Sequence, residues 1–226
     1  MAASEPGAAP VPVAKLVLLG SHAVGKSCVL ERLVKGTFSK FTIGATIGAA
    51  FAPHLLQKDG SPYVKLEIWD TAGQEQFQSL APMYYRGAEG AVLMFDLTSA
   101  RSFEAMKHWG EELGANGRDG VALVVCGNKC DLVERDPDSR EVESEFAIAY
   151  ADEIGAEYFE TSALTDVNVH EAFMRVTDEI MSLRRAQAGD APLASADPRD
   201  RHESIVLPDE DARMGSKPRG GKGCCS

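Results

Sequence analysis

A lysine and a serine side by side, Lys26 and Ser27, close the stretch Gly20-Ser21-His22-Ala23-Val24-Gly25-Lys26-Ser27. The spacing is G-x-x-x-x-G-K-[ST]. It follows the apolar run Leu16-Val17-Leu18-Leu19 and precedes the helically spaced Cys28-Val29-Leu30-Glu31-Arg32-Leu33-Val34. Strand, glycine-rich loop and helix form the context in which this pattern holds phosphate. The glycines let the backbone curl so that successive N–H groups face phosphate oxygens, and the helix adds its positive N-terminal end. Lys26 is expected to reach the β/γ-phosphates, and the Ser27 hydroxyl to ligate Mg²⁺. A glycine-bearing turn that binds nothing has the same outline, so the choice rests on the remaining chemistry.

That chemistry lies in three further stretches. Asp70-Thr71-Ala72-Gly73-Gln74 supplies a carboxylate that suits Mg²⁺, directly or through a water, since this small ion keeps several waters. Gly73 offers a backbone N–H with no Cβ before a γ-phosphate, and Gln74 has the donor and acceptor needed to orient an attacking water. Asn128-Lys129-Cys130-Asp131 selects a base. The Asp131 carboxylate accepts two parallel hydrogen bonds, matching guanine N1–H and N2–H₂. Adenine would leave that carboxylate unpaired. The Lys129 methylenes can lie along the base plane. Ser162-Ala163-Leu164 can present backbone N–H to guanine O6.

Strands and helices must bring these stretches together. Apolar runs at Val13–Leu19, Ala91–Phe95, Val121–Cys126 and Tyr158–Phe159 predict strands. Between them, helical spacing covers Gly25–Lys35 (closed by Gly36), Ser102–Leu113, Glu141–Ile154 and Val169–Leu183. Phe51–Gln57 and Tyr63–Trp69 flank Asp59-Gly60, a hairpin signal. The expected fold is α/β: a six-stranded, mostly parallel sheet with one antiparallel edge strand and helices on both faces. Ligands of such sheets bind at the carboxyl ends of strands, where all four stretches fall. Thr37–Gly48 lacks periodicity and is expected to be an exposed loop. Residues 1–12 are expected to be a disordered, Ala/Pro-rich extension, residues 13–185 the domain, and residues 186–226 a disordered tail too poor in large apolar residues to build a core.

Net charge is −11, from 23 basic and 34 acidic residues, which speaks against a general nucleic-acid binder. The five cysteines are scattered, no apolar h-region opens the chain, and no run approaches a membrane span. Reduced thiols in the cytosol are expected. Cys126 and Cys130 lack a second Cys/His pair at metal-binding spacing.

The motifs G-S-H-A-V-G-K-S, D-T-A-G-Q, N-K-C-D and E-T-S-A, in this order over residues 13–185, resemble those of the Ras-like small GTPases, a P-loop NTPase fold. Ile47-Gly48-Ala49-Ala50-Phe51, Lys65-Leu66-Glu67-Ile68-Trp69, Tyr84-Tyr85-Arg86-Gly87-Ala88 and the paired terminal cysteines are similar to those of Rabs, most of all the early-endosomal branch. The resemblance implies that Ser21 to Cys28 (Ser21, His22, Ala23, Val24, Gly25, Lys26, Ser27, Cys28) cradle the nucleotide. By the same resemblance Phe38 packs on guanine, and Thr46 ligates Mg²⁺ and meets the γ-phosphate only in the GTP state. Ile47, Phe51, Trp69 and Tyr84 then belong to the effector surface. For the three aromatics, packing between the hairpin and the following helix is an equal alternative.

The resemblance further implies an exchange factor, a GAP, a GDP-dissociation inhibitor or escort protein, and GTP-dependent effectors. It implies a monomer on the cytoplasmic face of early endosomes, with a cytosolic pool. Cys224-Cys225-Ser226 is not a C-a-a-X box. In Rabs such a pair carries two geranylgeranyl lipids, and two chains give a stable anchor where one does not. The basic residues Arg213, Lys217, Arg219 and Lys222 would add attraction to anionic leaflets.

Three positions and one loop length depart from the family pattern. His22 stands where a small residue is usual. It can crowd the attacking water or an arginine finger, or simply point into solvent. Gln76 replaces a common Arg, Leu164 a common Lys, and the loop from Phe38 to Thr46 is one residue longer. The expected function is GTP hydrolysis in a trafficking switch, with Gln74 orienting water and Lys26 countering developing charge. Two rivals are an ATP-using P-loop kinase, opposed by Asn128 and Asp131, and a slowly hydrolysing or GTP-locked adaptor, to which His22 points.

Overall fold

Parallel pairing follows from the alternation of strands and helices. The computed structural model describes residues 10–39, 46, 48–73 and 81–189. Its strands are β1 (Val13–Leu19), β2 (Ala49–Lys58), β3 (Ser61–Thr71), β4 (Gly90–Asp96), β5 (Ala122–Asn128) and β6 (Glu157–Thr161). They form one six-stranded sheet in the order β2-β3-β1-β4-β5-β6. Only the β2–β3 pair is antiparallel, closed by the turn at Asp59 and Gly60, and β2 is the edge.

Each central strand is buried on both faces, and its side chains alternate between two cores. Leu16, Leu18, Val92, Met94, Val124 and Cys126 enter one core. There they meet Val29 and Leu30 of α1 (Lys26–Lys35), and Phe173, Val176 and Ile180 of α6 (Val169–Ala188). Val17, Leu19, Leu93, Phe95 and Val125 enter the other, against Phe103, Met106 and Trp109 of α3 (Ala100–Asn116) and Ala147 and Ala151 of α5 (Ser144–Glu153). Full burial of such side chains contributes about 1.5–3 kcal/mol each. The sheet is therefore the rigid platform on which the loops after β1, β3, β5 and β6 stand.

Two short helices lay outside the sequence reading: α2 (Ala81–Tyr85) and α4 (Cys130–Arg135). At 5 and 6 residues they are too short for helical periodicity to register. Helix α5 begins at Ser144 rather than Glu141, because of a contact with a distant part of the chain. The Glu141 and Val142 amides donate to the Leu97 carbonyl at 3.0 and 3.3 Å, holding the chain against the β4 end before it can turn. Helix α6 continues to Ala188, past the expected end at Leu183, so residues 186–188 are helical rather than part of a tail. At the other end, the Pro12 carbonyl accepts from the Lys65 amide at 2.8 Å.

Candidate functional site

The loop from Gly20 to Gly25 leaves β1 at the carboxyl edge of the sheet and enters α1. Gly25 has φ 101°, the left-handed region that L side chains avoid, and a Cβ there would stand 2.3 Å from Asn128 Nδ2. Asn128, the last residue of β5, donates from Nδ2 to the Val24 carbonyl at 2.8 Å. Its Oδ1 accepts from the Thr161 hydroxyl, at the end of β6, at 3.2 Å. One buried amide thus joins the ends of β5 and β6 to the glycine-rich loop.

Lys26 is buried, and its ammonium donates to the Gly20 and Ser21 carbonyls at 2.7 and 2.9 Å. Burial lowers its pKa to about 8, with the Asp70 charge acting in the opposite direction. Ser27 Oγ donates to Asp70 Oδ2 at 2.5 Å and lies 3.0 Å from Thr46 Oγ1. Asp70 itself is 2 % exposed, and its second oxygen, Oδ1, is buried with no hydrogen-bond partner among the described residues. Burial raises the Asp70 carboxyl above its usual range, against the Ser27 hydrogen bond and the Lys26 charge. Two hydroxyls and a carboxylate with a spare oxygen form the hard oxygen set that Mg²⁺ takes, with water and phosphate completing the shell. The donor set fits the ion.

Gly73 closes the cleft from the β3 side. A Cβ on it would stand 2.4 Å from the Ser21 carbonyl carbon and oxygen and 2.5 Å from the His22 nitrogen. Only glycine allows this approach of the β3 loop to the glycine-rich loop. The sequence reading had assigned the missing Cβ to phosphate access; here it first serves contact between two backbones.

At the other end, Asp131 Oδ1 accepts from the Ser162 hydroxyl at 2.6 Å, which fixes one carboxylate oxygen. The Ser162 amide donates to the Val167 carbonyl at 3.1 Å, so among the three loop amides it is already engaged. Arg32 of α1 grips the same loop, donating from Nε to the Ala163 carbonyl at 2.9 Å and from Nη2 to the Leu164 carbonyl at 2.8 Å. In a trans peptide the N–H points opposite its carbonyl, so holding the Ala163 oxygen turns the Leu164 N–H away from Arg32. Nothing in the motifs marked Arg32. Its role depends on a contact with a loop 131 residues away in the chain.

These parts line one cleft of about 460 Å³. Of the residues singled out by sequence, His22, Ala23, Gly25, Lys26, Ser27, Cys28, Phe38, Thr46, Gly73, Asn128, Lys129, Asp131, Ala163 and Leu164 line it. Ser21, Val24, Asp70 and Ser162 support it from behind through the bonds above. Burial pushes the Cys28 thiol up. Leu132 and Arg135 of α4 also line the cleft, and the sequence had not pointed to either. Gln74, Ile47, Cys224 and Cys225 lie outside the described residues.

Of the three surface aromatics, Phe51 and Trp69 have ring centroids 5.2 Å apart, and Trp69 and Tyr84 5.7 Å. Trp69 and Tyr84 pack against the second core, whereas Phe51 remains 49 % exposed. The row therefore packs at one end and is open at the other.

The model of the Ras family matches residues 15–182. The chain belongs to the Ras family. Its relatives place it in the Rab branch of this family of GTP hydrolases. It is 46% identical to "Ras-related protein Rab5A" of Oryza sativa subsp. japonica over 174 residues, 77% of this chain and 83% of the relative. It is 47% identical to "GTP-binding protein ypt5" of Schizosaccharomyces pombe over 166 residues, 74% and 77% of the two chains. With "Ras-related protein RABF2b" of Arabidopsis thaliana it shares 44% over 196 residues, 87% and 88%. Its motifs and these relatives agree on a Ras-family GTPase of Rab type.

Proposed function

We propose that this Rab-type GTPase is a GTP/GDP switch that hydrolyses GTP slowly, binds effectors in its GTP form and acts on early-endosomal membranes. The observation that carries the reading is the contact of Ser27 with both Thr46 and Asp70. It joins the start of α1 to Thr46 and to the end of β3 at one point beside the phosphate end of the cleft. Ser27, Thr46 and, through a water, Asp70 would hold Mg²⁺, which counters phosphate charge. A γ-phosphate then gives the Thr46 and Gly73 loops a common partner, and its loss releases them, which is the signal.

Asp131, fixed by Ser162, accepts from guanine and leaves adenine unmatched. Phe38 and the Lys129 stem cover the faces of the base. Gln74 orients the attacking water, and Lys26 exchanges its two carbonyl partners for phosphate oxygens as charge develops. Phe51, Trp69 and Tyr84, with Ile47, form the effector surface. Residues 13–185 are the GTPase domain. Beyond them the tail ends in Cys224 and Cys225, which carry two geranylgeranyl groups and hold the protein on the cytoplasmic face. The relatives' Rab5A and ypt5 names support the endosomal assignment. Exchange factor, GAP and GDP-dissociation inhibitor are the partners this cycle requires.

Competition of GTP against ATP for the purified chain tests the base assignment, and equal displacement overturns it. Localising a tagged chain beside its Cys224/Cys225→Ser variant tests the membrane assignment. Endosomal puncta that turn diffuse are expected; Golgi or plasma-membrane labelling refutes the branch.

A second reading, a slowly hydrolysing or GTP-locked adaptor, is favoured by His22. It is exposed, lines the cleft, and its backbone is the point that Gly73 approaches. Single-turnover GTP hydrolysis by His22→Gly decides between them. A faster rate supports crowding by the imidazole, and an unchanged rate removes it.

A further inference from the structure

Asp96, the last residue of β4, belongs to none of the stretches singled out by sequence, yet its carboxylate pairs with Lys129, which lines the cleft. It is 8 % exposed, and each of its oxygens has a separate task. Oδ1 accepts from the Thr98 amide at 2.9 Å and the Thr98 hydroxyl at 2.8 Å, closing the turn that leaves β4. Oδ2 faces the Lys129 ammonium at 2.5 Å. The residue is further pinned through its backbone. Its amide donates to Ser102 Oγ at 2.9 Å, and it sits opposite Asn128 in the β4–β5 register. The carboxylate is therefore held by Thr98, and the residue by its backbone, before it meets the lysine.

Lys129 needs such an anchor. It lines the cleft and takes φ 69°, left-handed backbone that a lysine rarely adopts, at the turn from β5 into α4. A free lysine side chain loses rotamer freedom when it is ordered against a ligand. An ammonium already fixed at its far end has lost that freedom before any ligand arrives. Its methylene stem, stretched between the left-handed Cα and Asp96, is then a preformed wall of the cleft.

We propose that Asp96 is a positioning residue for guanine binding: it acts through Lys129, holding the stem of that side chain in the place where the base stacks. The inference rests on the reading that Asn128 to Asp131 form the base site. It assigns a role to a strand end that no nucleotide motif covers.

Release of a fluorescent GDP analogue from the Mg²⁺-loaded full chain tests it in a double-mutant cycle. Asp96→Asn keeps the Oδ1 bonds to Thr98 and weakens the ion pair; Lys129→Met keeps the stem and removes the ammonium. Each alone should speed release about three- to tenfold, and the double variant no more than either one. Thr98→Val, which loosens the turn and leaves Oδ2 in place, should change release less than Asp96→Asn. Multiplying effects in the double variant, or Thr98→Val matching Asp96→Asn, overturns the proposal in favour of a role in the turn alone. Fast release from Lys129→Met with Asp96→Asn unchanged overturns it while leaving the base site standing. Unchanged release from Lys129→Met overturns both.

Discussion

The Asn128 side-chain amide donates to the Val24 carbonyl at 2.8 Å, across 104 residues of chain. Base end and phosphate end of the cleft are thereby joined directly by one buried side chain. Asn128→Ala should leave the Val24 carbonyl and the Thr161 hydroxyl without their partner in a buried place. Each such group costs about 1–3 kcal/mol. The expected result is a lower melting temperature without nucleotide and faster release of GDP. Differential scanning calorimetry and GDP release measure the two separately; an unchanged melt would show that water replaces the amide.

Asp70 Oδ1 is buried without a partner beside Ser27. Asp70→Ala should weaken Mg²⁺ binding by about 10–100-fold, the usual effect of an outer-shell carboxylate. Titration of Mg²⁺ against nucleotide release reads this directly. Chelation with EDTA should accelerate release from the unaltered chain and do so much less in the variant. Equal acceleration in both would place the ion elsewhere.

Arg32 holds the Ala163 and Leu164 carbonyls from helix α1. Arg32→Ala should loosen the loop that presents amides to the base while leaving Lys26 and Ser27 untouched. Release of GDP is expected to rise several-fold. Each lost charge-assisted bond contributes about 1.5–3 kcal/mol at most, and less here because one bond is exposed. Arg32→Lys should recover little, since one ammonium cannot span two carbonyls as the planar fork does.

Glu89 joins β4 to the end of α6 through two hydrogen bonds from Arg184, at 2.7 and 2.6 Å. Burial alone would raise its carboxyl, but the Arg184 bonds and charge outweigh burial and hold it below the usual range. A depressed carboxylate contributes stability that is fully present above its unfolded pKa, about 4.3, and lost as pH falls through the folded value. The melting temperature of Glu89→Gln should therefore lie below that of the unaltered chain at pH 7. The gap should close as pH drops below about 4. A gap that stays constant with pH would assign the effect to packing.

The strands and long helices were legible because their physics is local. Leu16 to Leu19 and Ala91 to Phe95 are apolar without interruption because both faces of a central strand are buried. The chemistry was legible for the same reason: a glycine-rich loop between strand and helix, or Asn-Lys-x-Asp after a strand, carries its spacing in the chain. Short α2 and α4 were not, since a single turn and a half leaves no period to detect. The start of α5 was decided by the Leu97 carbonyl, far away in sequence.

The residues that make the cleft work were divided in the same manner. Lys26, Ser27, Asp70 and Asp131 announce themselves by type and spacing. Arg32, Asp96 and Leu132 look like any arginine, aspartate and leucine until the sheet brings their strand and helix ends together. Gly73 shows both halves: its place after Asp70-Thr71-Ala72 suggests phosphate access from the chain alone, and the packing of two loops adds a second reason for the missing Cβ. Its absent Cβ makes room for the Ser21 backbone. Local spacing can specify which chemistry a chain carries. Where each group points, and what holds it there, is decided by contacts between segments a hundred residues apart, which no local pattern contains.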